Sequence, residues 1–471
     1  MDFKKLGFKA GIEIHQQLDG KKLFCECPAI NSTKKPDKYC ERKLRAVVGE
    51  TGEIDIAAAH ETAKAKKFIY VSNSEDSCQY EYDEEPPGNV NQEHLNTAIM
   101  VSKLLNAKIV DEIQVMRKIV VDGSNVSGFQ RTMLVGYNGF IETDKGRVEI
   151  PAILLEEEAA QKLESGKDFV KYKLDRLGIA LLEISTDASL KDAEHAKEVS
   201  AHIGMILRST GKVKRGLGTI RQDVNVSIKG GARTEVKGFQ DLKSIPKVIE
   251  KEIERQQKMI KVGKKIDEEV RKANADMSTT LMRPIPGAAR LYPETDCLPV
   301  KVTKDMLDIE LPELLNVRIK KIEKELGVNE ITAKEIIKRD VCVDIFGKYK
   351  NVDNKLIAQV LIEIPKDIKT RMNCDISKLG CDDFKEILGK LDKGEISKDS
   401  IVDVMSMKCA GKKVDYSKFA KADAGDIEKE IEKIVKSKPG LNPGAYMGLV
   451  MAKFKGQVDG QQAMTILKKF L

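Results

Sequence analysis

The chain has 471 residues and a mass of 52.5 kDa; 41% of its residues are hydrophobic and 33% charged. At about 100–200 residues per domain, that composition describes a globular protein of several domains. No apolar run comes near the ~20 residues of a membrane span, and Met1–Phe8 has no apolar signal core. A cytoplasmic protein with no membrane partner is therefore expected. The 81 basic and 74 acidic residues leave a net charge of +7, which permits an anionic partner without requiring one. Nine scattered cysteines argue against a disulfide framework and for reduced thiols.

Residues 1–303 show recurrent period-2 alternation broken by Gly, Asn and Asp turns, with helical spacing over 92–105, 190–209 and 244–273. Strands and helices interleaved without a βαβ rhythm predict an α+β fold on a mixed sheet. Past residue 304 the chain becomes Lys/Glu-rich, with apolar residues at helical spacing. We read 304–409 as a helical connector and 410–471 as a terminal helical domain. From Ile401 to Leu471 there are 13 Lys, no Arg and 8 acidic residues. A solvated helix face and a phosphate-contacting surface both fit that excess.

The first motif is Gly11-Ile12-Glu13-Ile14-His15-Gln16-Gln17-Leu18. Read as a strand, it points Ile12 and Ile14 one way and Glu13, His15 and Gln17 the other. The pattern recurs. Arg221, Asp223, Asn225 and Ser227 share a face, as do Arg233, Glu235 and Lys237. Glu183 stands in the apolar run Ile179–Ile184, where a carboxylate costs desolvation energy unless paired or bound to a cation. Glu156-Glu157-Glu158 follows Ile153-Leu154-Leu155. If these strands are neighbours, one sheet face carries the groups of a magnesium and phosphate site. An ordinary solvated sheet face is the alternative. No G-x-x-x-x-G-K-[ST] loop and no helix-opening G-x-G-x-x-G is present, so any ATP binds by another geometry. Cys25-Glu26-Cys27 with Cys40 is part of a zinc spacing that lacks a clear fourth ligand, for which Cys78 and His60 are candidates. Ordinary thiols are the plainer reading.

Several segments together resemble the GatB/GatE family, the tRNA-binding kinase subunits of tRNA-dependent amidotransferases. They are Gly11–Leu18 with Lys22–Pro28, then Asp83–Pro87, Asp122–Thr132 and Met282–Asp296, the last three resembling the archaeal GatE branch. Gly448–Lys453 and the end of the chain resemble the family's YqeY-like tail. The resemblance implies ATP- and Mg²⁺-dependent phosphorylation of the glutamate side chain of Glu-tRNA(Gln), followed by displacement with ammonia. It implies a cradle over 1–303, a connector and a tRNA-binding tail.

Residue by residue, it implies metal ligands at Glu13, His15, Glu157 and Glu183, with the Glu157 register open by one. It implies catalytic roles for Asp223, Arg221 and Asn225, and substrate contacts at Ser127, Gln130, Arg131, Arg233, Glu235 and Lys237. In the tail it implies tRNA contacts at Lys453, Lys455, Lys468 and Lys469. The family's partner is an asparaginase-like GatD protein, with a GatA/GatC pairing as the alternative, in a dimer of heterodimers. An aspartyl-tRNA-synthetase-like insert of the GatE branch is missing near 255–280. That absence bears on tRNA discrimination more than on chemistry; the alternatives are a tRNA-binding scaffold without kinase activity, or a GatB-type subunit that also acts on Asp-tRNA(Asn).

Overall fold

The alternation at Lys9–Lys22 (β1) sets the centre of the fold. Its apolar face must be covered, and nine further strands extend that face on both sides. They are Val115–Ile119 (β2), Phe129–Thr143 (β3), Gly146–Glu157 (β4), Ile179–Ser185 (β5), Ile220–Ser227 (β6), Thr234–Lys237 (β7), Glu269–Ala273 (β8), Thr279–Pro284 (β9) and Leu291–Pro293 (β10). This computed structural model describes residues 1–471 except 50, 240, 288–289, 340–344, 373–375, 377–378, 420–423, 455–459 and 471. The spatial order is β9-β8-β7-β6-β1-β5-β4-β3-β2-β10, antiparallel except at β7·β8. Lys108–Ile109 adds a short strand beside β3.

One face of the sheet buries Ile12, Ile14, Leu155, Leu182, Ile184, Val224 and Val226. Three helices cover it: Gln92–Leu104 (α1), Ala193–Ser209 (α2) and Ser244–Lys261 (α3). Asn91 caps α1 through its side chain, and the Asp192 carboxylate caps α2 by accepting the His195 N–H at 2.8 Å. Ala196, Val199, Ile203 and Leu207 give α2 its buried stripe. The helix expected over 244–273 stops at Lys261. Gly263 adopts φ +66°, the left-handed conformation that ends helices, and Glu269–Ala273 pairs in parallel with β7 instead.

The linker from β9 to β10 decides the sheet's shape. Six residues join the two outermost strands. So short a linker spans at most ~25 Å, whereas ten strands laid flat would be about 43 Å wide. The sheet must therefore curl until its edges approach. The concave side is the polar one, opposite the helices.

A four-stranded sheet of Lys38–Arg42, Lys67–Ser72, Phe169–Lys173 and Gln161–Ser165 has its own core around Phe68, Tyr70 and Tyr172. The chain divides into compact units at Leu315/Asn316. Met306, Leu307, Ile309 and Leu314 pack on the first unit's core, so the opening of the segment read as connector lies with that unit. The second unit is helical. One cluster runs from Ile322 to Cys409; another joins Ala424–Ser437, Pro443–Lys453 and Gly460–Leu467. No helix among the described residues is long and apolar enough to cross a membrane. Cys25, Cys27, Cys40, Cys78, Cys297 and Cys409 are free, but Cys381 is disulfide-bonded, against the expectation of reduced thiols throughout. Cysteine spacing carries no signal for an isolated pairing. Cys342 and Cys374 lie outside the described residues.

Candidate functional site

Strand register assembles the site. On β1, His15 stands opposite Glu183 of β5 and Arg221 of β6, while Glu13 stands opposite Asp223 of β6. Glu156 of β4 pairs with Leu181, two residues from Glu183 on the same face. Asn225 pairs with Glu235 of β7. All are on the face away from the helices, since their neighbours Ile12, Ile14, Leu182, Ile184 and Val224 fill the core.

The side chains converge. His15 Nε2 lies 3.4 Å from Glu183 Oε2, and its Nδ1 lies 3.9 Å from Asp223 Oδ2. Donor atoms of Glu13, His15 and Asp223 gather within 4.8 Å of one another, as do those of His15, Glu156 and Glu183. His15 belongs to both triads. Lys118 Nζ donates to Glu156 at 2.6 Å and approaches Glu183 at 3.4 Å. Lys237 Nζ donates to Asp223 at 2.6 Å and also contacts Glu235. Asn225 Nδ2 donates to Glu13 at 2.9 Å, and Arg233 Nε donates to Asn225 Oδ1 at 3.0 Å.

Charge balance follows this geometry. Burial and the neighbouring Glu235 push the Glu13 carboxyl up. Burial opposes ionisation of Glu183, but Lys118 and the His15 hydrogen bond hold it well below the usual carboxylate range. Burial also works against the His15 imidazolium, and Glu183 with Asp223 more than offsets it, so His15 titrates above an ordinary histidine. Lys237, buried between carboxylates, is held above an ordinary lysine. This carboxylate-rich set with one imidazole suits a hard divalent cation.

The curled sheet encloses a cavity of about 710 Å³. Of the residues expected from sequence, Glu13, His15, Glu183, Arg221, Asp223, Gln130, Arg233, Glu235 and Lys237 line it. Asn225 lines an adjoining cavity of about 420 Å³, which also reaches Glu13 and Arg233. Arg221 Nη2 is held by both oxygens of Glu158, at 2.8 and 2.6 Å.

Three expectations change. Glu156, not Glu157, faces the cavity. Glu157 accepts the Arg131 backbone N–H at 3.1 Å and contacts Tyr80 Oη on the other face, where burial pushes its carboxyl up to about 8. The triplet leaves register ambiguous by one, and one step in a strand reverses the face. Arg131 and Ser127 sit on that far side too. Arg131 donates to Glu294 at 2.7 Å and Tyr80 at 2.9 Å, and Ser127 Oγ donates to Phe129 O at 3.0 Å.

The cysteine cluster is Cys25, Cys27 and Cys78 with Glu81, and excludes Cys40, which sits across the Lys38–Arg42/Lys67–Ser72 pairing from Tyr70. Cys78 was one of the two candidates for the fourth ligand; Glu81 was not foreseen, because spacing does not encode a loop contact some fifty residues away. Glu81 also accepts the buried Lys22 ammonium at 2.9 Å.

In the second unit, Lys469 Nζ lies 3.0 Å from Glu428, Lys453 contacts Glu430, and Lys468 is exposed. Lys455 lies outside the described residues. Sequence reasoning missed Lys118, Arg283 and Arg290 as cavity-lining groups. For Lys118 the signal was available: it alternates with Val115 and Ile119, which face the core.

Residues 8–308 match the GatB/GatE catalytic domain. End to end, the chain is 36% identical to the glutamyl-tRNA(Gln) amidotransferase E subunit of Archaeoglobus fulgidus, 36% to that of Methanocaldococcus jannaschii and 35% to that of Methanosarcina barkeri, covering 99%, 99% and 98% of them. These alignments run to 611, 626 and 624 positions against 471 residues, so the relatives carry sequence that this chain lacks. With the acidic cavity built from the matched segment and relatives aligned over their full length, the chain belongs to the GatB/GatE family.

Proposed function

We propose that this chain is the component of a tRNA-dependent amidotransferase that converts Glu-tRNA(Gln) to Gln-tRNA(Gln). ATP phosphorylates the glutamate side chain, and ammonia from a partner protein then displaces the phosphate. The observation that carries this reading is the pair of acidic triads sharing His15, set in a cavity rimmed by cations.

A carboxylate at neutral pH resists an amine, so it must first acquire a leaving group. Transfer of the γ-phosphoryl group to a carboxylate oxygen gives an acyl phosphate and ADP. The protein's share of this step is positioning and charge neutralisation. Glu13, His15, Glu156 and Glu183 would hold Mg²⁺, with Asp223 beside them. When bound, that ion would supply positive charge to the phosphoryl oxygens. Ammonia then attacks the acyl carbon. The new C–N bond forms as the C–O bond breaks, phosphate departs with the electron pair, and nitrogen loses a proton. On this reading Asp223, anchored by Lys237, accepts N–H bonds from ammonia and takes that proton. Asn225 and Arg233 steady Glu13 from the β6–β7 side.

The ammonia source is an asparaginase-like partner of the GatD type, in a dimer of heterodimers. The second unit meets tRNA through its lysines. The sequence that the relatives carry and this chain lacks corresponds to the synthetase-like insert near 255–280, and its loss bears on tRNA discrimination rather than on chemistry.

The test is ADP release by the full chain from ATP and Mg²⁺ with Glu-tRNA(Gln), uncharged tRNA(Gln) or Glu-tRNA(Glu), with and without ammonium. Turnover with Glu-tRNA(Gln), yielding Gln-tRNA when ammonium is present, is expected. No turnover in any tube, with the GatD-type partner also added, would overturn the assignment in favour of a scaffold. As a control, Glu13→Ala with His15→Ala should abolish turnover and spare tRNA affinity.

A further inference from the structure

The cations that line the cavity are not equivalent. Lys118, Lys237 and Arg221 each hold a carboxylate, namely Glu156, Asp223 and Glu158. Arg233, Arg283 and Arg290 line the same cavity, and among the described residues none of the three has a carboxylate within ion-pair distance; Arg233 is engaged by Asn225, whereas Arg283 and Arg290 hold no side-chain acceptor. They come from the two ends of the short linker that closes the curled sheet: Arg283 from β9, and Arg290 immediately before β10. Their placement is built. Arg290 Nε donates to Ile119 O at 3.1 Å, and β10 pairs with β2 so that Leu291 stands opposite Lys118. Between them, Gly287 N–H donates to the buried Asp55 carboxylate at 2.8 Å. Burial disfavours the Arg290 guanidinium, and Arg283 repels it further. Two mutually repelling guanidinium groups on a cavity wall are an electrostatic cost, which an anionic ligand between them would offset.

Resting on the functional reading above, we infer that Arg283 and Arg290 are the phosphate clamp of this site and hold the polyphosphate of the nucleotide. The acidic triads occupy the cavity floor on β1, β4, β5 and β6. The arginine pair lines the same cavity, with Arg290 near enough to Glu156 and Glu183 to feel their charge, so a phosphoryl group held there lies beside the triads. A planar guanidinium binds phosphate oxygens through two parallel N–H donors. This supplies, from the closing linker of the sheet, what a glycine-rich phosphate loop supplies elsewhere, and the sequence holds no such loop. The phosphodiester at the tRNA acceptor end shares this chemistry, so the experiment must separate the two sources.

The experiment uses the full chain with its GatD-type partner. Arg283→Ala, Arg290→Ala and the two Arg→Lys variants are compared with wild type. Binding of a non-hydrolysable ATP analogue with Mg²⁺ is measured separately from binding of Glu-tRNA(Gln), and KM for ATP separately from KM for tRNA. Loss of charge-assisted hydrogen bonds should weaken nucleotide binding about 10–100-fold, with tRNA affinity unchanged. The lysine variants keep charge but not the paired donors, and should recover only part of the nucleotide affinity. Unchanged nucleotide affinity in both alanine variants overturns the inference. A loss confined to tRNA affinity overturns it in favour of the acceptor-end phosphate. If an alanine variant does not fold, the matching lysine variant decides by the same KM split. Wild type with no ATP turnover on Glu-tRNA(Gln) would remove the functional reading itself, an outcome distinct from an active wild type whose variants bind nucleotide normally.

Discussion

Glu156 and Glu157 are consecutive on β4, yet their carboxylates serve opposite faces of the sheet. Glu156 accepts from Lys118 at 2.6 Å and Gln130 at 2.9 Å inside the cavity. Glu157 accepts from the Arg131 backbone on the far side. A pair of substitutions therefore tests the register. Glu156→Gln should lower ATP turnover with Glu-tRNA(Gln) by ~10²-fold, the scale of losing one placed charge in a transition-state site. Glu157→Gln should leave turnover within about threefold, because burial pushes that carboxyl up to about 8 and glutamine copies its neutral form. Steady-state ADP release checks both, and equal losses would refute the assignment of faces.

The same far face contains a pH-dependent contribution to stability. Burial alone would raise the Glu294 pKa. The Arg117 hydrogen bond, the Asp296 N–H and the Arg131 charge instead pull it down to about 2. A carboxylate with a depressed folded-state pKa contributes stability that is present above its unfolded value, near 4.5, and lost as pH falls toward 2. With solvent screening at the exposed Asp296 edge, that contribution is about 2 kcal/mol at neutral pH. Glu294→Gln should lower stability at pH 7 by that order and flatten the loss between pH 4.5 and 2. Urea midpoints of wild type and variant across that range are the measurement; parallel pH profiles would count against it.

Gly11 shows how closely β1 is held. A Cβ there would lie 2.8 Å from Asp187 O and 3.1 Å from Thr186 O, both backbone atoms, while Ile12 N–H donates to Thr186 Oγ1 at 2.9 Å. Alanine must displace β1 two residues before Glu13. Gly11→Ala should cost about 1–3 kcal/mol in stability and reduce ATP turnover more than it reduces tRNA affinity. Thermal unfolding and filter binding, run beside the turnover assay, separate those effects; an alanine variant with wild-type turnover would show that the strand can shift without loss.

The floor of the site was legible because a strand's period is two: Glu13, His15, Asp223 and Glu183 follow from alternation as soon as β1, β5 and β6 are neighbours. The wall was not. Arg283 and Arg290 reach the cavity only because β9 and β10 lie at opposite ends of a sheet that curls, and no local pattern encodes that closure. Glu157 was misplaced because a glutamate triplet hides its own register. Cys78 was legible only as one of two candidates for a fourth ligand, Glu81 was missed and Cys40 was wrongly included, because loop contacts have no period. The helix expected over 244–273 had acceptable spacing to its end, but the chain leaves the helix at Gly263 and sheet pairing claims 269–273.

The tail lysines carry the last prediction. Lys453 and Lys469 are paired with Glu430 and Glu428 of the helix Ala424–Ser437. All four are exposed enough that such pairs are worth little, about 0–1 kcal/mol, so a phosphate backbone can displace the carboxylates at small cost. Lys468 stands exposed beside Lys469. Lys453→Glu with Lys468→Glu should raise KM for tRNA about tenfold and reduce the dependence of tRNA binding on salt, since fewer counterions are then released. The kcat should stay within about twofold, because these side chains belong to the second unit and the acidic triads to the first. Glu428→Gln with Glu430→Gln frees two cations and should shift KM the opposite way. Binding isotherms at three salt concentrations read both pairs of variants, and a fall in kcat at unchanged tRNA affinity would remove the tail from tRNA recognition.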